Sequence, residues 1–319
     1  FTSQPGIISP GQYLRLRQLS SAIPGRTASM TVNVGRASAT YSVTTTPNAV
    51  PPDGLPGAPT GIGGAAGDGS VTLHFRPPRI TGGAGPLDYL VSCNGDSGVV
   101  AGTSSPVTRT GLVNGQVYSC VVIARNANGL GGASNSFSLT PSANAPLIKV
   151  GVVSRKNHGS AGAFDLPLDS WYNINYYLTV EPRAAGDGHE LVFFFNRPIT
   201  ATGTVTVSDQ NMADLGNATA TASGNSVVVK LPAIADGRRA TVTLSGTNGS
   251  TDSFSIALGF LLGDINGSRT ISVVDILAGK RRIGQPLAHF NFLSDIDLSG
   301  EIDTLDLALV KARSGSYLP

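Results

Sequence analysis

The feature that most constrains this chain is an aspartate-rich unit that occurs twice within residues 263–315. Loop 1 begins at Asp264 and loop 2 at Asp295, and oxygen-bearing side chains recur at loop positions 1, 3, 5 and 12 of both. Alternate residues of a curled loop point inward, so this spacing suits Ca²⁺, which takes about 6–8 oxygen ligands. The apolar residue at position 8, Ile271 or Ile302, is expected to anchor each loop to a core.

The two loops offer different ligand sets. Loop 2 has more carboxylates, and its Asp303 is expected to act through a water, whereas loop 1 has Arg269 where the sharp turn favours glycine. Because carboxylate count tunes affinity, we expect up to two calcium ions, with loop 2 binding more tightly; the alternative is a pair of solvated aspartate-rich turns. The predicted ligands are Asp264, Asn266, Ser268, Thr270 and Asp275 in loop 1, and Asp295, Asp297, Ser299, Glu301 and Asp306 in loop 2.

Each loop runs into a short helical segment that ends at a glycine, Gly284 or Gly315, suited to a helix C-terminus. A loop followed by a helix, with no helix entering, is half of an EF-hand. Two such halves resemble a dockerin, the duplicated calcium module of secreted bacterial proteins. The resemblance covers residues 261–319 and implies a small helical domain with two Ca²⁺ sites that plugs into a β-sandwich protein partner.

Positions 10 and 11 of the loops are where dockerins carry partner-reading residues. Loop 1 has Val273 and Val274 there, and loop 2 has Thr304 and Leu305. We favour packing of the two valines on the preceding domain over a partner patch, because a small module gains by burying apolar side chains. No linker separates the preceding strand from loop 1, so we expect the last two domains to pack as one unit.

Composition bounds the rest of the chain. A length of 319 residues suggests two to four domains, and 40 glycines with 20 prolines indicate many short strands and turns. The net charge of +2, with 13% charged residues, argues against a nucleic-acid partner, and no apolar run approaches the roughly 18 residues of a membrane span. Since the chain starts at Phe1, we interpret it as a piece of a longer secreted protein.

Residues 50–142 contain about seven short strands separated by turn signals, a spacing typical of a β-sandwich. The pattern resembles a fibronectin type III domain, in which Tyr118 falls at the tyrosine corner and Phe75 replaces the usual tryptophan. The alignment to that family places Cys93 and Cys120 on neighbouring strands of one sheet. An oxidising compartment then favours a disulfide between them over two buried thiols.

Two further segments are predicted to belong to β-sandwiches. Residues 1–49 alternate like about three strands and resemble the C-terminal part of a β-sandwich repeat, whose missing strands lie upstream or come from a neighbouring chain by strand addition. Residues 143–260 read as a complete sandwich, in which we favour a long ordered connection over a ligand loop at 154–165. Trp171 and Tyr172 form a sugar-stacking platform or, as we favour, belong to the core and the sheet edge.

The sequence therefore predicts a mainly β protein, with tandem Ig- or fibronectin-like sandwiches followed by a small α-helical dockerin-like domain. No paired carboxylates, Cys–His pair or phosphate loop has an assigned role, so we predict that the chain is not an enzyme. We expect a bacterial, extracellular, cell-surface structural or adhesive protein that docks through its calcium module or by strand addition. The alternative is the accessory tail of a secreted polysaccharide- or protein-degrading hydrolase, with polysaccharide as a further ligand.

Overall fold

The computed structural model divides the chain into two compact units, Phe1–Val50 and Pro51–Pro319. In the first unit, β1 (Thr27–Val34) and β2 (Ala37–Thr44) form an antiparallel hairpin. These are two of the three strands predicted there, and the third, near Leu14, lies outside the described residues. The structure describes residues 27–34, 37–44, 54–83, 87–94, 99–168 and 179–319.

The second unit begins with eight strands, which we call sandwich A. One sheet has the order β3-β4-β7 and the other the order β10-β8-β5-β6, with β9 also paired to β8. The strands are β3 (Thr60–Gly67), β4 (Ser70–Arg76), β5 (Asp88–Cys93), β6 (Val99–Gly102), β7 (Val107–Arg109), β8 (Tyr118–Asn126), β9 (Gly129–Ala133) and β10 (Phe137–Leu139).

The core of sandwich A matches the fibronectin-like expectation. Phe75 is fully buried and packs against Tyr89 with a ring-centroid distance of 4.5 Å. The Tyr118 hydroxyl accepts the backbone N–H of Val113 at 3.0 Å, which is the hydrogen bond of a tyrosine corner. Cys93 and Cys120 lie directly opposite each other on β5 and β8 and form a disulfide, as predicted.

Nine further strands form sandwich B. Its sheets have the orders β12-β11-β14-β17-β16 and β13-β19-β18-β15, and β13 runs parallel to β19. The strands are β11 (Lys149–Asn157), β12 (Ala163–Pro167), β13 (Thr179–Glu181), β14 (His189–Phe195), β15 (Thr204–Ser208), β16 (Thr219–Ser223), β17 (Ser226–Leu231), β18 (Arg238–Ser245) and β19 (Ser253–Phe260).

The prediction of a connecting segment at 154–165 is wrong. The strand β11 continues through this stretch to Asn157, turns through the short 3₁₀ helix Gly159–Ala161, and returns as β12. Its inward-facing residues there are polar, namely Ser154, Lys156 and His158, and all three are buried. A half-buried strand is recognised in a sequence by alternating apolar and polar residues. Where the buried residues are themselves polar, that alternation is missing and the strand is not recognised.

The helical module, residues 261–319, contains α1 (Val273–Lys280) and α2 (Thr304–Ala312). Its two repeats exchange equivalent backbone hydrogen bonds. Gly284 N–H donates to the Ile302 carbonyl at 2.8 Å, and Gly315 N–H donates to the Ile271 carbonyl at 2.9 Å. Both isoleucines are buried, as expected for position 8 of each loop. The repeats share one core, because Ile271 clusters with Ile296 and Val310 of the second repeat.

Sandwich B and the helical module pack directly against each other, as the absence of a linker predicted. Val180 of sandwich B belongs to the core of the module. In return Phe292, which lies between the repeats, stacks on Phe164 of sandwich B at 5.4 Å. The expected burial of Val273 and Val274 at this junction is wrong, because their side chains are 64% and 55% exposed.

The fold class predicted from the sequence is thereby confirmed: the described chain is mainly β, with its two α-helices at the C-terminal end. The domain boundaries at 142 and 260 stay predictions. Within the described ranges, no helix is both long and apolar enough to cross a membrane.

Candidate calcium site

Loop 2 draws three carboxylates together. Carboxylate oxygens of Asp295, Asp297 and Asp306 lie within 4.8 Å of one another, and Asp295 and Asp306 are almost completely buried. Ser299 lies at the rim of the cluster, where its hydroxyl donates to the Glu301 carbonyl at 3.2 Å. An all-oxygen donor set with several carboxylates is the chemistry that Ca²⁺ selects. The residues at these positions therefore fit a calcium ion.

The backbone of loop 2 wraps around these carboxylates. Asp295 accepts the N–H groups of Ser299 at 3.0 Å and Gly300 at 2.8 Å. Asp306 accepts the N–H groups of Ile296 at 2.6 Å and Asp303 at 2.9 Å, and the bond from Asp303 is half of a capping box at the start of α2. The first and last loop positions are thus held in place by the chain between them.

Loop 1 repeats the same wrapping with fewer charges. Asp264 accepts the N–H groups of Ser268 at 2.9 Å and Arg269 at 2.7 Å. Asp275 accepts those of Asn266 at 3.2 Å and Ser272 at 2.9 Å, so that Ser272 and Asp275 form the capping box of α1. The Ser268 hydroxyl donates to the carbonyl of Thr270, as its counterpart Ser299 does to Glu301. All five predicted loop 1 ligands therefore border one turn.

Residues in the sharp turn of each loop adopt left-handed backbone conformations, which glycine tolerates without steric cost. In loop 1 Gly267 has φ of 68° and Arg269 also has φ of 68°. In loop 2 the same two positions are Leu298 at 67° and Gly300 at 94°. Each loop thus places one non-glycine residue in this region, and Arg269 does occupy the position that favours glycine.

The carboxylates of the two loops differ in their electrostatics. Burial raises the pKa of Asp264 to about 6, and the neighbouring Asp275 adds to this. Burial likewise raises the pKa of Asp306 to about 6. Burial also acts to raise the pKa of Asp295, but the hydrogen bonds from His158 and Gly300 outweigh it, so that this pKa lies below its usual range. Of these three carboxylates, Asp295 is the one whose charged form is favoured by its hydrogen-bond partners.

His158 is a feature of loop 2 that the sequence did not indicate. Its Nδ1 lies 2.8 Å from Asp295 Oδ2, and both side chains are completely buried. The contact joins residues 137 positions apart, so no local spacing announces it.

The predicted stacking residues Trp171 and Tyr172 lie outside the described residues. The disulfide cysteines are far along the chain from both loops and belong to the core of sandwich A.

The whole chain was compared with known proteins and solved structures. No curated protein matches it in sequence. Among solved structures, the FN1–FN3 domains of chicken CNTN1 are 13% identical, with 74% of this chain and 79% of that one covered and a TM-score of 0.24. The BSP domain of a biofilm associated protein is 17% identical, with 62% and 29% covered and a TM-score of 0.29. The C. elegans twitchin kinase region is 15% identical, with 55% and 39% covered and a TM-score of 0.25.

The C-terminal segment has a match of its own. The model of the dockerin type I domain matches residues 262–313, which include both loops and both helices. Domains of this family bind calcium and dock onto cohesin domains of other proteins. Residues 262–313 are therefore a dockerin type I domain, carried behind the β-sandwich part of the chain.

Proposed function

We propose that this chain is a non-catalytic, extracellular structural segment whose dockerin module binds Ca²⁺ in both loops and attaches the sandwiches to a cohesin-type protein partner. The proposal assigns the ten loop residues named above as ligands. Loop 2 binds more tightly, because it gathers Asp295, Asp297 and Asp306, whereas Asp264 and Asp275 are the two carboxylates of loop 1.

The observation that carries the docking proposal is a set of exposed apolar side chains beside the loops. Val273 and Val274 begin α1 and Leu305 lies in the first turn of α2, with 64%, 55% and 62% of each exposed. The same helix turns carry Asp275 and Asp306, which close the two calcium loops. Exposed apolar side chains beside polar groups are of the kind that mark interaction sites. An ion that fixes a loop therefore fixes the exposed apolar residues at the start of the helix that follows it.

Extracellular placement is supported by two further features. The Cys93–Cys120 disulfide is of the kind that persists in oxidising compartments. Calcium loops of this type are tuned to the high free calcium found outside cells when their carboxylate count is low, as it is in loop 1. Dockerin proteins are typically extracellular or bound to the cell surface.

The first test is a calcium titration of the whole chain by calorimetry. We expect two binding events in the wild type, with the tighter one lost in Asp306→Ala and the weaker one lost in Asp275→Ala. If calorimetry detects no binding heat in the wild type, the calcium proposal is refuted.

The second test measures docking. A panel of type I cohesin domains is titrated onto the chain with calcium and with a chelator. Binding should require calcium and should weaken at least tenfold in Val274→Asp/Leu305→Asp, whose calcium binding should be unchanged. Unchanged cohesin binding in that variant would place the docking surface elsewhere on the module. Met212→Asp serves as the matched control, since Met212 is an exposed apolar residue of sandwich B.

A further inference from the structure

Loop 2 is seated on sandwich B through close backbone contacts. The Ala184 N–H donates to the Ile296 carbonyl at 2.8 Å. Gly159, at the tip of the β11–β12 hairpin, lies so near loop 2 that a Cβ there would be 2.2 Å from the Ser299 carbonyl oxygen. A Cβ at Gly300 would be 2.7 Å from the carbonyl oxygen of His158. The hairpin tip and the loop therefore fit each other only through glycine.

The proton on His158 is placed by Arg183. Arg183 Nη1 lies 3.2 Å from His158 Nε2, and a guanidinium can only donate, so Nε2 must be the accepting nitrogen. The neutral ring then carries its hydrogen on Nδ1, which donates to Asp295 Oδ2 at 2.8 Å. An N–H that donates to a carboxylate is not a metal ligand. Its effect is to hold the carboxylate that begins loop 2.

Arg183 is itself fixed by strands of sandwich B. It donates from Nε to Glu181 Oε1 and from Nη2 to Glu181 Oε2, both at 2.7 Å. Its remaining donors reach the carbonyls of Phe164 at 3.0 Å and Ser154 at 2.9 Å, and the Ser154 hydroxyl also donates to Glu181. An unbroken chain of buried hydrogen bonds thus runs from β11 and β13 to Asp295.

Loop 1 has different neighbours. The hydrogen bonds that Asp264 accepts come from Ser268 and Arg269 of loop 1 itself. The backbone of loop 1 is tied instead to the end of the chain, since Ile271 N–H donates to the Ser316 carbonyl and Leu318 N–H donates to the Arg269 carbonyl, both at 2.9 Å.

We propose that His158 is a positioning residue for calcium at loop 2, and that sandwich B and loop 2 form one thermodynamic unit in which each stabilises the other. The proposal rests on calcium binding by loop 2, as proposed above. Partners that orient a ligand from the second sphere typically change metal affinity by about 10–100-fold when they are removed. Loop 1 lies outside this chain of bonds and is unaffected.

The test is calcium calorimetry on the whole chain in three variants. His158→Phe keeps a ring beside Phe164 but removes the N–H, and should weaken the loop 2 site about 10–100-fold with the loop 1 site unchanged. In His158→Asn the N–H of the side-chain amide replaces the Nδ1 donor. This variant should therefore bind calcium at loop 2 almost as tightly as the wild type. His289→Phe is the control, because His289 packs edge-on against the same Phe164 ring at 5.4 Å.

The outcomes separate the two proposals. If the wild type binds no calcium, the proposed function fails. If the wild type binds at both loops and His158→Phe binds equally well at loop 2, the positioning role alone is overturned.

A reciprocal measurement on the wild type needs no change at His158. Calcium should slow amide hydrogen exchange of β11, β13 and Ala184, and should not do so in Asp306→Ala. Equal exchange rates with and without calcium would overturn the coupling even if His158→Phe does not fold.

Discussion

Replacement of Arg183 by methionine should strongly destabilise sandwich B. Arg183 is 2% exposed and Glu181 1% exposed, and the two side chains form a bidentate ion pair with both bonds at 2.7 Å. Arg183→Met leaves the Glu181 carboxylate buried without its cation. Loss of one member of a buried ion pair costs about 3–5 kcal/mol in the free energy of unfolding.

The pKa of Glu181 gives an independent magnitude. Burial acts to raise this pKa, but the charge and hydrogen bonds of Arg183, with the Ser154 hydroxyl, lower it from 4.5 to about 2. That net shift favours the charged form of Glu181 in the folded protein by roughly 3 kcal/mol. Because the folded pKa is depressed, this stabilisation is complete above pH 4.5 and is lost as the pH falls towards 2.

The assay is urea denaturation at saturating calcium, followed by far-ultraviolet circular dichroism. The loss in Arg183→Met should be largest near pH 7 and should narrow as the pH falls, because burial without Arg183 raises the pKa of Glu181 and the variant takes up its proton already above pH 4.5. The double variant Glu181→Leu/Arg183→Met has no buried charge and should recover most of the loss. The reasoning is refuted if the single variant is as stable as the wild type, or if the double variant is no more stable than the single one.

Four further variants have expected outcomes. Cys93→Ala/Cys120→Ala should lower the unfolding free energy of sandwich A by about 3–4 kcal/mol, since the bridge joins residues 27 apart; equal urea midpoints would contradict this. Burial lowers the pKa of His189 to about 4, and neither ring nitrogen has a partner among the described residues, so stability should fall between pH 6.5 and 4. His189→Phe should flatten that slope in thermal melts, and an unchanged slope would assign it to other groups. Arg269→Gly should raise the melting temperature by relieving about 1 kcal/mol of left-handed strain, as should Leu298→Gly; a lower melting temperature in both would show that the side chains matter more than the strain.

The calcium loops were predictable from sequence because their geometry is local. Each ligand set lies within twelve residues, and the turn, the position 8 anchor and the capping box follow from the same short stretch. Arg269 could be singled out in the same way, because left-handed backbone at that position is a property of the loop alone. The disulfide was predictable from the alignment of sandwich A, since that alignment fixes which strands are neighbours.

The exposure of Val273 and Val274 was not predicted. It follows from the direction in which each side chain points around the axis of α1. Asp275 must face into loop 1 to close it, and it shares the buried face of α1 with Gly279, one turn later. Residues one and two positions earlier are rotated about 100° and 200° away from that face. The free energy gained by burying apolar side chains favoured burial of the two valines. The position of the capping carboxylate, however, decides which face of a short helix is covered.

The two loops also show where sequence similarity stops determining affinity. Their ligand positions and cross-repeat hydrogen bonds are equivalent, so local sequence sets what each loop is able to bind. Their surroundings are not equivalent, because loop 1 is tied to Ser316 and Leu318 at the end of the chain and loop 2 to His158 of sandwich B. Truncation of the chain after Gly315 should therefore weaken calcium binding at loop 1 more than at loop 2, the converse of His158→Phe, although the loss of Leu318 also removes a neighbour of Ile296 from the shared core. If both loops bind calcium as proposed, a module built from two copies of one sequence has two sites that respond to different parts of the protein.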